Sequence, residues 1–200
     1  DGSAKLFVEK ILSAGIKSSN APIKLIKINK KVSYTEGTKS ISLNLSNVSS
    51  EIDFQINYKN NVIKTQRNKV NIFNDELKDI FESRTFCLYE DVEKLRSLGL
   101  AQGGNLDNAI VVGEKEILNK DGLRNQNEFV NHKILDCMGD LYLSGYRIIG
   151  SLITSEGGHG LTNNILRKLF SDKNNFSVIE IKGKTLPYQI LDRSYLKSIA

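Results

Sequence analysis

Two hundred residues with 28 Lys+Arg against 23 Asp+Glu give a net charge of +5, and 40% of the chain is hydrophobic and 26% charged. That balance excludes a wholly disordered chain and a disulfide-dense mini-protein, and no run approaches the ~20 apolar residues that a membrane span requires, so no transmembrane segment is expected. The basic excess gathers in the first third of the chain, where it can attract nucleic acid, anionic lipid or a phosphorylated small molecule. No helix-turn-helix, RNP or zinc-finger signature accompanies it, so no nucleic-acid partner is expected. Asp1-Gly2-Ser3 is a polar opening, unlike a basic and then apolar leader, and the missing initiator Met points to an upstream start. Cys87 and Cys137 lie far apart without a CxxC, which suits two small reduced residues in a cytosolic protein.

In chain order, Ser3 is an N-cap candidate for a helix with Phe7, Val8, Ile11 and Leu12 on one stripe, and Gly15 can end it. After Pro22 the pattern has period two. Ile23 and Leu25 alternate with Lys24, and Ile26 and Ile28 continue in the opposite phase, which predicts a bulge or a change of face near Leu25. Ile41, Leu43 and Leu45 alternate, as do Ile52, Phe54 and Ile56, with turns at Glu36-Gly37 and Tyr58-Lys59-Asn60-Asn61. Asn74 is an N-cap candidate ahead of Leu77, Ile80 and Phe81. Residues 91–98 read as a short helix stopped by Gly99, 109–112 as a strand, 127–145 as the longest helix, 148–153 as a strand, 161–170 as a helix and 176–181 as a last strand. Strands followed by helices predict the α+β class.

The chemistry concentrates in the long helix. His132, Asp136 and Asp140 stand at i, i+4 and i+8, so they share a face, while Val130, Ile134, Met138 and Leu141 occupy a neighbouring apolar one. An imidazole and a carboxylate one turn apart can reach one metal ion, and that donor pair suits Zn²⁺. An ordinary surface His–Asp pair has the same spacing. The second feature is Gly157-Gly158-His159-Gly160, where three glycines leave a histidine exposed just before a helix. A carboxylate such as Asp140 nearby would favour its protonated form and equip it as a general acid. The third is Gly103-Gly104-Asn105-Leu106-Asp107-Asn108-Ala109, which is not a dinucleotide loop. With Tyr89, Val92, Leu95, Leu100, Leu106, Ile110 and Val111 it can line an apolar slot, although plain core packing would read the same way.

Arg84-Thr85-Phe86, the run from Gly99 to Val111, Leu118-Asn119, Gly122-Leu123-Arg124, Glu128-Phe129-Val130, His132-Lys133-Ile134-Leu135-Asp136, Gly139-Asp140-Leu141-Tyr142, and Gly158-His159 with Asn163-Asn164 occur in order. This set closely resembles the zinc-dependent UDP-3-O-acyl-N-acetylglucosamine deacetylases of lipid A biosynthesis, most strongly over residues 83–170. The resemblance implies a two-layer β-α-α-β sandwich with a small inserted β-α-β unit. It divides the chain into residues 1–20, closing a truncated first domain, 21–185, a second domain with a lipid-passage insert at about 86–112, and a tail at 186–200. It implies that His132 and Asp136 are zinc ligands, that His159 with Asp140 serves as acid or electrostatic stabiliser, and that Lys133 contacts substrate. It further implies that Thr85 bonds the oxyanion, and that Phe86, Tyr89, Val92, Asn105, Leu106 and Val111 build the acyl passage.

The implied reaction is hydrolysis of the acetamide of a UDP-linked acylated glucosamine by metal-activated water, in the cytoplasm of a Gram-negative-type bacterium. The family's third zinc ligand and its glutamate base belong to a first domain, and this sequence has only His132 and His159. The chain therefore reads as a fragment, as half of a split protein partnered by a first-domain polypeptide, or as a decayed copy that binds lipid or nucleotide without turnover. Composition alone also allows a basic binding module unrelated to hydrolysis. Departures from the family pattern are Asn127, Asn131, Glu156 in place of a cation, and Cys87 in place of glycine.

Overall fold

A computed structural model describes residues 1–17, 19, 21–46, 49–99 and 102–181. The tail expected at 186–200 and the end of the second domain at 182–185 lie outside the described residues, as does Leu100. In chain order the elements are α1 (Lys5–Ala14), β1 (Ile23–Ile28), β2 (Val32–Glu36), β3 (Lys39–Asn44), β4 (Ser50–Asn57), β5 (Thr65–Asn71), α2 (Lys78–Glu82), β6 (Phe86–Leu88), α3 (Val92–Ser97), β7 (Ile110–Val112), α4 (Glu128–Leu141), β8 (Arg147–Ser155), α5 (His159–Phe170) and β9 (Phe176–Ile181). The class is α+β.

Seven strands form one mixed sheet organised around β8. Up to Ile149, β8 runs parallel to β1; from Gly150 onward it runs parallel to β4, and from Ser151 antiparallel to β3. A Cβ at Gly150 would lie 2.8 Å from Ile28 Cγ1 and 3.0 Å from the Asn44 carbonyl oxygen, so the handover between neighbours needs glycine there. Strands β2 and β5 extend the sheet through antiparallel pairs with β3 and β4, and β9 pairs antiparallel with β1.

Helices α4 and α5 pack on this sheet and on each other, and α2 packs on α4. Ile26, Ile41, Leu43, Ile52, Phe54 and Leu152 from the strands meet Phe129, Val130, Ile134, Leu161 and Ile165 from the helices in the main core. The opposite side of β1 carries a smaller cluster of Leu25, Phe73 and Ile149. The expected bulge near Leu25 is absent. Strand β1 keeps unbroken register with β9 from Ile23 to Ile28, and its change of apolar phase reflects burial of both faces.

Two caps also differ from expectation. Ala4 precedes α1, while the Ser3 hydroxyl turns back to the Asp1 carboxylate at 2.6 Å. Leu77 precedes α2, and neither helix has a side-chain cap. Helix α1 buries none of its residues; Leu6, Phe7 and Ile11 are 69, 74 and 59% exposed. Beside the main sheet, β6 and β7 form a separate parallel pair joined through α3. Residue spacing alone does not reveal strand β6, because three residues are too few to show a period, but the β6–α3–β7 unit lies where the resemblance implies an inserted β-α-β unit.

Candidate active site

The site is built around α4. Its first turns bury Phe129, Val130 and Ile134 against the sheet, which fixes the rotation of the helix and leaves His132 at 3% exposure. One turn on, Asp136 brings Oδ1 to 3.5 Å from His132 Nε2. The other ring nitrogen, Nδ1, lies 3.2 Å from the Ser83 carbonyl oxygen. A carbonyl can only accept, so this contact calls for hydrogen on Nδ1 and leaves Nε2 as the nitrogen that faces the carboxylate. Burial lowers the His132 pKa below its ordinary 6.5, against the opposing pull of Asp136 and the Ser83 carbonyl. Burial thus favours the neutral ring, the form in which an imidazole binds a metal.

Lys133 leans across this pair. Its ammonium lies 3.1 Å from Asp136 Oδ2 and 5.6 Å from the centre of the Phe86 ring. Phe86 in turn packs edge-on against Phe129 at 5.0 Å. At the far end of α4, Asp140 meets His159, whose Nδ1 lies 2.9 and 3.0 Å from the two carboxylate oxygens. His159 is the first residue of α5, so the expected loop position becomes a helix start, and its ring stays exposed.

Thr85 and Phe86 open onto a cavity of about 730 Å³ in the β6–α3–β7 unit. Tyr89, Val92, Leu95, Asn105, Leu106 and Val111 are on its walls, as is Cys87. The Gly103–Ala109 turn forms one rim. There Asn105 Oδ1 accepts from the backbone of Asp107 and Asn108, and Asn108 Nδ2 donates to the Gly103 carbonyl. Buried Asn119 clamps the same rim, donating to the Leu106 and Ala109 carbonyls and accepting from Val111 N. Burial and nearby Asp91 push the Cys87 thiol up, so it stays protonated in the cavity wall.

Sequence spacing assigned no role to Ser83, Arg84, Glu128 or Asn119, all of which shape the site. Nothing in their spacing signals it, because their partners are distant in the chain. Of the departures, Asn131 is buried and bonded to Asn68 and Asn125, and Glu156 accepts from Thr38 Oγ1 at 3.0 Å. Glu156 has φ +56°, in the left-handed region.

Among the described residues no group of three or more His, Cys, Asp or Glu side chains is placed to hold a metal. His132 and Asp136 supply one nitrogen and one carboxylate donor facing each other. That set fits part of a zinc site, and a complete one needs a donor from elsewhere.

The family model described as "LpxC: UDP-3-O-acyl N-acetylglycosamine deacetylase" matches residues 1–171. Among curated relatives, the UDP-3-O-acyl-N-acetylglucosamine deacetylase of Psychrobacter sp. is 41% identical, covering 90% of this chain and 62% of its own length. That of Haemophilus ducreyi is 40% identical over 90% of this chain and 60% of its own length. The Teredinibacter turnerae protein of the same name is 42% identical over 100% of this chain and 65% of its own length. The chain thus spans about three-fifths of the length of the relatives it matches.

Proposed function

The chain belongs to the LpxC family of UDP-3-O-acyl-N-acetylglycosamine deacetylases, and from that membership we propose that it carries the larger part of an active site for hydrolysing the acetamide of a UDP-linked, 3-O-acylated N-acetylglucosamine in lipid A biosynthesis. The observation that carries this reading is the convergence of His132 Nε2 and Asp136 Oδ1, 3.5 Å apart, close to Thr85 and Phe86 on the wall of the cavity.

His132 and Asp136 would hold zinc. When bound, zinc supplies Lewis acidity for the acetamide carbonyl and lowers the pKa of water. The Thr85 hydroxyl is the donor for the developing oxyanion. His159, oriented by Asp140, delivers a proton to the leaving amine. Lys133 contacts the substrate after exchanging its bond to Asp136 for an anionic partner. The cavity takes the 3-O-acyl chain, excluding water along its apolar walls. The products are acetate and a free amine.

In this reading residues 21–185 form the family's second sandwich domain, with the passage insert at about 86–112. Residues 1–20 close a first domain that supplies the third ligand and the base. The exposed apolar side of α1 supports that assignment, since three large side chains lie without cover. The cytoplasm of a Gram-negative-type bacterium is the proposed location. A second reading, a catalytically incomplete chain that binds lipid or nucleotide without turnover, is favoured by the two-donor metal set.

The test is metal analysis with a deacetylase assay on this chain and on its His132→Ala variant, each alone and mixed with the upstream polypeptide. Zinc that disappears with His132, and activity only in the mixture, is the expected result. A mixture that holds no zinc before or after the change removes the basis for the hydrolase reading.

A further inference from the structure

Glu128 is the most enclosed charged side chain among the described residues, with 0% exposure. Its Oε1 accepts from Arg84 N at 3.1 Å and Arg84 Nε at 2.8 Å, and its Oε2 accepts from Arg84 Nη2 at 3.1 Å and Arg124 N at 2.6 Å. Arg84 Nη2 also donates to the Gly122 carbonyl at 2.8 Å. One carboxylate therefore ties together the first turn of α4, the segment entering β6 and the 122–124 loop.

Two arms lead from it to the site. Along the first, Arg84 is flanked by Ser83, whose carbonyl oxygen lies 3.2 Å from His132 Nδ1, and by Thr85 in the cavity wall. Along the second, the Arg124 guanidinium holds Asp1 Oδ2 at 2.8 Å and the Glu82 carbonyl at 2.8 Å, while the Asp1 carbonyl accepts from Thr85 N at 3.0 Å. Gly2 (φ +70°) then passes so close that a Cβ would lie 3.1 Å from Thr85 Cβ and 3.3 Å from His132 Cε1.

A buried ion pair is expensive to assemble and is weak evidence for stability by itself. Here its geometry fixes the groups that set the state of the imidazole. We propose that Glu128 is a positioning residue: acting through Arg84, it holds the Ser83 carbonyl where it fixes hydrogen on His132 Nδ1 and leaves Nε2 as the nitrogen that faces Asp136. This deepens the zinc-site reading and rests on it for its functional meaning. A partner that orients a ligand histidine typically contributes ~10–100-fold in metal affinity.

The chain has only two histidines, so the long-range ¹H–¹⁵N spectrum of the metal-free protein assigns His132 by comparison with His159→Gln. The parent is expected to show the Nδ1–H tautomer. In Glu128→Gln, which keeps the side-chain shape, the His132 signals should move toward a tautomer mixture, and titrated Zn²⁺ should bind ~10–100-fold more weakly. Glu128→Asp should recover part of both effects. Arg67→Ala, which breaks an exposed pair with Asp53, should leave both unchanged. If Glu128→Gln does not fold, Arg84→Lys is read by the same spectrum, since it keeps the charge and loses the fork. A folded variant of either kind with an unchanged His132 tautomer overturns the positioning role. Loss of fold in both also overturns it, by making the pair a determinant of the fold alone. Failure of the parent to bind Zn²⁺ would instead count against the metal-site reading, while the tautomer measurement still decides the role of Glu128.

Discussion

Burial alone would raise the pKa of Glu128, but the hydrogen bonds from Arg84 and from the backbone of Arg124, with the Arg84 charge, pull it below its ordinary 4.5. Between the folded and unfolded values the unfolded chain binds the extra proton, so stability rises with pH in that window. The contribution is complete above about pH 4.5 and is lost as pH falls through the folded value. Denaturant titrations at pH 5 and pH 3 should show a marked loss for the parent and a shallower one for Glu128→Gln, which starts ~3–5 kcal/mol lower because Arg84 is left buried without its partner. An equal slope in both proteins would contradict this account. Asp136→Ala should weaken zinc binding in a chelator competition, whereas His159→Ala should reduce turnover of the complete enzyme with its metal content unchanged, as ligand and proton donor are different roles.

At the scale of elements, the strongly periodic segments were legible. Helix α4 and strands β3 and β4 fall close to where spacing put them, although Leu45 lies beyond β3 at 58% exposure and the first turn of α4 is buried all round. Strand β1 misled: its two apolar phases looked like a break, but one continuous strand is covered on both sides. The candidate site was legible along α4, where His132, Asp136 and Asp140 share a face, and in the apolar slot, where Tyr89, Val92, Leu95, Leu106 and Val111 line the cavity. Contacts that depend on tertiary closure, such as Ser83 with His132 or Asn119 with the passage rim, leave no local pattern. If the cavity takes the acyl chain as proposed, filling it has a measurable effect. Val92→Trp or Val111→Trp should fill the cavity and raise KM for a long-acyl substrate more than for a short-acyl one, without altering zinc content. Gly150→Ala should lower the melting temperature, since a methyl cannot displace the Asn44 carbonyl and the added volume typically costs ~1–3 kcal/mol.

At the scale of the whole molecule, α1 buries none of its residues, unlike the helices packed on the sheet. Its main ties are the Lys5–Glu82 pair at 3.2 Å and the Ala4 N–Phe81 carbonyl bond. Phe7→Asp should therefore leave the stability of the 200-residue chain within ~0.5 kcal/mol in a thermal melt, as expected for a side chain without cover. A drop well beyond that would show that α1 packs more firmly. The passage of Gly2 against Thr85 and His132 has a practical consequence for handling the protein. Whatever chain continues ahead of Asp1, native or added, begins one residue before the glycine that passes the imidazole ring, so metal affinities measured with different upstream sequences should not be pooled.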